Sequence, residues 1–111
     1  MSGSGSEDAR VVLVTAPEIG VARALARGLL ERRLAACVNL LPGLESHYRW
    51  KGALESASEV LLLVKTRAAH LPRLEAFLAQ EHPYECPECI ALEPAHVERS
   101  YLEWLLAETA P

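Results

Sequence analysis

Within eight residues the chain sets a histidine, two carboxylates and two thiols: His82-Pro83-Tyr84-Glu85-Cys86-Pro87-Glu88-Cys89. Imidazole, carboxylate and thiolate are the donor set that binds zinc and copper. Pro83 and Pro87 push the residues before them away from helical angles, so the cluster belongs on a loop or at a strand entry. In an extended chain Cys86 and Cys89 face opposite ways, and a chelating pair requires Pro87 to make a turn. A lone Cys-x-x-Cys also lacks the second pair that completes a structural zinc knuckle. Thioredoxin-like chemistry needs the first thiol at a helix N-terminus, and here a strand follows. Two readings stand. In one, His82 and Glu88, helped by Cys86 or Cys89, form an exchangeable copper or zinc site completed across a subunit boundary. In the other, His82 caps a helix end through a carbonyl or Glu85, and Cys89 fills a core slot.

Aromatic residues with one polar tip suit mixed pockets, which makes Tyr48, Trp50, Tyr84, Tyr101 and Trp104 candidates for a ligand cleft or for subunit packing. Lys65 and Arg67 either meet an anionic ligand or pair with Glu59 or Glu88. Cys37, between Ala36 and Val38, reads as an inert core thiol. Catalytic constellations are missing: Thr15-Ala16-Pro17-Glu18 is no Gly-rich phosphate loop, and there is no G-x-S-x-G. Arg23 and Asn39 match the acylphosphatase residue types only in the wrong context.

These groups need elements to hold them. Val11-Val12-Leu13-Val14 reads as a buried strand, and Pro17 falls early in the first turn of a helix running from Glu18 to Arg33. Val21, Leu25 and Leu29 recur there at helical spacing, with Arg23, Arg27 and Glu31 on the wet face. Leu34–Leu41 reads as a strand, Pro42-Gly43 as a bulge in it, and Ser46–Trp50 as its continuation, with the reversal at Lys51-Gly52-Ala53. Glu59–Thr66 is the most strand-like run and is expected to be central and buried on both faces. Arg67–Glu81 returns to helical spacing with Leu71, Leu74, Phe77 and Leu78 inward. Cys89–Glu93 is a fourth strand, and Val97, Tyr101, Trp104 and Leu105 form the apolar stripe of a final helix.

The order βαββαβ plus a C-terminal helix is the α+β, ferredoxin-like split βαβ sandwich. Strands over about 35 to 50 and 54 to 66 each reach on the order of 40 to 50 Å at ~3.4 Å per residue. A domain of this size has a radius of gyration of only about 13 Å. The hairpin must therefore overhang its core, where a two-stranded ribbon is marginal in water and exposes pairing edges. An identical neighbour is the simplest cover, and head-to-tail exchange of ribbons closes a ring. The expectation is an obligate homo-oligomer, most simply an intertwined homotrimer.

At 111 residues the chain is one domain, with residues 1–9 read as a disordered Gly/Ser tail and 10–111 as the fold. A net charge of −4 argues against a nucleic-acid surface, and no apolar run is long enough for a membrane span. Three cysteines, an odd count with no export signal, point to a reducing compartment, and the cytoplasm is the expected location.

Thr15-Ala16-Pro17, Leu34 through Leu40 with Pro42-Gly43, Tyr48-Arg49-Trp50-Lys51-Gly52, Glu59-Val60, Lys65-Thr66-Arg67, His82-Pro83-Tyr84-Glu85 with Pro87-Glu88, and Tyr101-Leu102 with Trp104 together resemble the CutA family. That resemblance covers about residues 11 to 106 and implies a ferredoxin-like trimer with long intertwined hairpins. It further implies a non-catalytic role in tolerance to copper and other divalent metals, with Cu2+ or Zn2+ as ligand and no cofactor required. Likeness in architecture to the PII signalling proteins adds sensing at subunit clefts. The alternative is a trimeric scaffold that binds a partner protein or a small anion, with metals incidental. Two positions depart from the family pattern. Val14 stands where some bacterial relatives carry a cysteine thought to help hold copper, and Cys86 and Cys89 stand where aliphatic residues are usual.

Overall fold

The computed structural model describes residues 8–111. The tail expected over 1–9 lies outside the described residues as far as residue 7, and the first strand already includes Ala9, which is buried. In chain order the elements are β1 (Ala9–Ala16), α1 (Ile19–Glu31), β2 (Cys37–Trp50), β3 (Ala53–Arg67), a 3-10 turn (Ala68–His70), α2 (Leu71–Glu81), β4 (Ile90–Leu92) and α3 (Arg99–Glu108). The sheet is antiparallel with order β2-β3-β1-β4, the expected ferredoxin-like arrangement.

Strand alternation divides the sheet into two unlike faces. Val12 and Val14 pair with Val64 and Leu62, and these residues with Val60 are buried against Ala22, Leu25 and Leu29 of α1 and Leu74, Phe77 and Leu78 of α2. Gly28 lets the two helices meet, since a Cβ there would sit 2.6 Å from Phe77 Cζ. The second face carries Val11, Leu13, Leu61 and Leu63 half-buried, and Leu41, Ile90 and Leu92 about half exposed. The expectation that β3 is buried on both faces is therefore corrected for the single chain, because α1 and α2 cover one face only.

Helix α3 closes just the Arg67 end. Arg67 Nε donates to Thr109 Oγ1 at 2.9 Å and its guanidinium also reaches the Leu106 carbonyl; Arg33 Nη1 donates to the Glu108 carbonyl at 3.3 Å. These donors satisfy carbonyls that a helix end leaves open. Of the stripe expected to face inward on α3, Leu105 alone is fully buried, while Tyr101 and Trp104 stand well exposed.

The caps explain where α1 begins and ends. The Glu18 carboxylate accepts from the Gly20 and Val21 amides at 2.6 and 3.2 Å, so Glu18 is the N-cap and Pro17 precedes the helix instead of entering its first turn. At the other end Leu34 N–H bonds the Leu29 carbonyl at 2.9 Å and Arg33 N–H the Leu30 carbonyl at 3.0 Å. That is a Schellman motif, with Arg33 at φ 56° in the position glycine usually takes.

The long hairpin is as expected. β2 and β3 run 14 and 15 residues and turn through Lys51 (φ 50°) and Gly52 (φ 83°), the two positive angles of a type I′ turn. The register shifts between Leu41 and Leu44, so Pro42 and Gly43 together oppose Val60, with Gly43 at φ 84°. The longest dimension is 48 Å and the radius of gyration 14.7 Å, and at the end of this arm Leu54 is 78% exposed.

Candidate functional site

The His82–Cys89 segment follows α2 directly. His82 is the C-cap, its backbone N–H bonded to the Leu78 carbonyl, and its ring is buried. Nε2 lies 2.8 Å from the Thr15 carbonyl, and Nδ1 accepts from the Tyr84 amide at 3.1 Å. A backbone amide can only donate, so Nδ1 is bare and Nε2 carries the proton given to Thr15. Both ring nitrogens are engaged in holding the loop to β1. This is the capping reading; as a metal ligand His82 would have to break one of those bonds, so the expected ligand set loses its imidazole within one chain.

Tyr84 then anchors the loop to β3. Its hydroxyl donates to Glu59 Oε2 at 2.6 Å, and burial together with that carboxylate drives the phenol well above its usual range. Burial, and next the charge of Glu59, push the Glu88 carboxyl up as well. Cys89 lies against the same acidic group: burial, then Glu75 and Glu88, push its thiol up, so it stays protonated at neutral pH. Glu75, Leu78, Ala79, Tyr84, Glu85, Pro87 and Cys89 line an open cleft of about 340 Å³ beside α2. A cation entering it would meet carboxylates first and would have to displace a proton to use the thiol.

Other expected partners are apart. Pro87–Cys89 makes no turn, and the two thiols differ in surroundings, Cys86 exposed and Cys89 half-buried. No group of three or more His, Cys, Asp or Glu side chains among the described residues is placed to hold a metal ion. Within one chain Glu88, Cys86 and Cys89 therefore remain an incomplete set.

The expected cleft residues fall into three groups. Tyr48 lies near enough to Tyr84 to raise its pKa, and joins the Glu59 and Glu88 neighbourhood. Trp50 lies at the hairpin tip with Lys51 Nζ 5.7 Å from its ring centroid. Tyr101 and Trp104 pack ring to ring at 5.4 Å on α3, beside Lys65 and Cys37. Lys65 does not pair with Glu59 or Glu88; its ammonium donates to Asn39 Oδ1. The reason is distance: Glu59 and Lys65 share a strand face but lie roughly 20 Å apart at ~3.4 Å per residue. Cys37 is half-buried rather than in the core, its Sγ 3.8 Å from Asn39 Oδ1 and near the Tyr101 hydroxyl. Arg67 is taken up by α3. Sequence reasoning missed Asn39 as Lys65's partner and Glu75 as a wall of the cleft. Strand alternation could have found Asn39, two residues from Cys37 and on the same face, whereas nothing sets Glu75 apart from the other exposed charges of α2.

With this geometry established, comparison with known proteins places the chain. It matches the CutA1 divalent ion tolerance protein family over residues 10–108. The chain belongs to that family. The divalent-cation tolerance protein CutA of Thermus thermophilus is 50% identical over 99 residues, covering 89% of this chain and 96% of that protein. The solved Thermus thermophilus structure superposes with a TM-score of 0.85 at 49% identity, over 87% of this chain and 94% of that one. The periplasmic divalent cation tolerance protein CutA of Archaeoglobus fulgidus gives a TM-score of 0.88 at 31% identity, over 91% and 98%. The CutA fold is thus kept at half to a third of residues identical, and divalent-cation tolerance is the role its relatives are named for.

Proposed function

We propose that this CutA chain serves divalent-cation tolerance, copper foremost and zinc next, as a non-catalytic homotrimer whose cation site is completed between copies and works as a weak, exchangeable sensor. It acts in the cytoplasm, where its three free thiols stay reduced. The observation that carries the reading is the incomplete set beside α2: Glu88 and Cys89 share one acidic neighbourhood with Glu75, and a ligand is still wanting. Glu88 supplies the carboxylate, Cys86 and Cys89 the thiols, and His82 holds the loop that carries them. The half-exposed second sheet face and the hairpin end, where Leu54 stands exposed, supply what a neighbouring copy would cover.

Calorimetric titration with Cu2+ and Zn2+ tests the site. Glu88→Gln and the Cys86→Ser/Cys89→Ser pair are expected to weaken binding about 10-fold or more, as loss of a ligand does. Metal affinity unchanged in both variants would place the site elsewhere. Sedimentation at micromolar concentration tests the assembly: three copies are expected, and a folded single copy overturns it.

A further inference from the structure

We infer that the Arg67 end of the second sheet face is a binding site for a small carboxylate with a planar apolar body, formed by Lys65, Asn39 and Tyr101 beside the Trp104 ring. Cys37 and Lys65 are cross-strand partners, and Asn39 stands two residues along on the same face. Lys65 is half-buried, its ammonium bonded to Asn39 Oδ1, and neither ion pair among the described residues includes it. With its oxygen engaged by Lys65, the Asn39 amide keeps both Nδ2 hydrogens to give. The Tyr101 hydroxyl, in contact with the Cys37 thiol, adds a third kind of donor.

Ammonium, amide and phenol thus gather where no carboxylate of the described residues answers them. The neighbouring side chains on this face, Val11 and Leu63, are apolar. Should the face be covered by a second copy, as the proposed assembly has it, the ammonium would lose water and its charge would call for an anion. A carboxylate accepts from two donors at once, which fits this fan. The exposed Tyr101 and Trp104 rings, tilted 46° to one another, offer a wall for a planar apolar body. Inorganic phosphate would use the donors and leave the wall idle.

The test uses the full chain with Trp50→Phe, which leaves Trp104 as the one tryptophan of the two in the sequence. Benzoate is titrated at constant ionic strength, with acetate and inorganic phosphate as comparisons and Trp104 fluorescence as readout. A saturable change with benzoate is expected, with acetate and phosphate several-fold weaker, and Lys65→Met raising the half-saturation about 10-fold, the worth of one charge-assisted hydrogen bond. Tyr101→Phe, at an exposed position, is expected to raise it less; an unchanged value there overturns the proposal if Lys65→Met fails to fold. No saturable response, or equal curves with and without Lys65, overturns it. So does a silent benzoate titration joined to a fall in sedimenting mass on Lys65→Met, which would assign the ammonium to a carboxylate of a neighbouring copy. A single-copy mass for the parent protein would remove the assembly reading alone, and the fluorescence would still decide this one.

Discussion

A side chain that supports a site and one that binds at it respond differently to removal, and His82 and Glu88 show the contrast. His82 spends both ring nitrogens on backbone groups, one on β1 and one on its own loop. His82→Ala strands a buried carbonyl and frees the loop, and is expected to cost about 2 to 3 kcal/mol by thermal or denaturant unfolding. Glu88 is the opposite case. Its carboxyl is raised in the folded chain, so the folded state holds that proton more firmly than the unfolded one, and stability falls as pH rises through the raised pKa. Glu88→Gln removes the charge that burial and Glu59 oppose. The melting temperature at neutral pH is expected to rise while Cu2+ affinity drops; a lowered melting temperature would show that Glu88 is paired in the assembled protein.

Among the elements, the end of α1 is the least favourable joint. Arg33 adopts left-handed angles that cost a residue with a Cβ about 1 kcal/mol relative to glycine. Arg33→Gly is expected to recover most of that, less its 3.3 Å bond to the Glu108 carbonyl, and to raise the melting temperature by roughly 4 °C at fixed protein concentration. At α3 the N-cap Glu98 accepts from the Ser100 hydroxyl and from the Ser100 and Tyr101 amides, which hold its carboxyl down at about 2. Its support is therefore present above the ordinary glutamate range and lost as pH falls toward 2. Glu98→Gln is expected to flatten the stability profile between about pH 4.5 and 2, followed by circular dichroism.

The same two helix ends show what was readable beforehand and what was not. Element order, the bulge at Pro42-Gly43 and the reversal near Lys51-Gly52 follow from apolar period and turn chemistry, because those signals are local. The stop of α1 carries an arginine where glycine would announce it, so only the change of period at Leu34 marked the boundary. The partners of Lys65 and His82 depend on distances between strands, which spacing along the chain does not encode. Tyr101 and Trp104 matched a helical stripe, yet a stripe reports apolar character and not which surface meets it.

For the whole molecule the unequal sheet faces are the governing fact. Ile90 is half exposed in the single chain, so Ile90→Glu is expected to leave secondary structure intact while lowering the sedimenting mass, as a charge set into an apolar contact does. Unaltered mass would show that copies do not meet there.

The bulge has a further result for that contact. One extra residue between Leu41 and Leu44 reverses odd and even along β2, which brings Leu44, Ser46 and Tyr48 to the side of Leu61 and Leu63 and sends Glu45, His47 and Arg49 to the reverse side. Excising Gly43 alone would leave Pro42 opposite Val60 and Leu44 opposite Glu59, so the bulge would vanish while Glu45, His47 and Arg49 kept to the reverse side. The extra residue is thus absorbed as local twist, and the limb by which one molecule would hold the next keeps its apolar side.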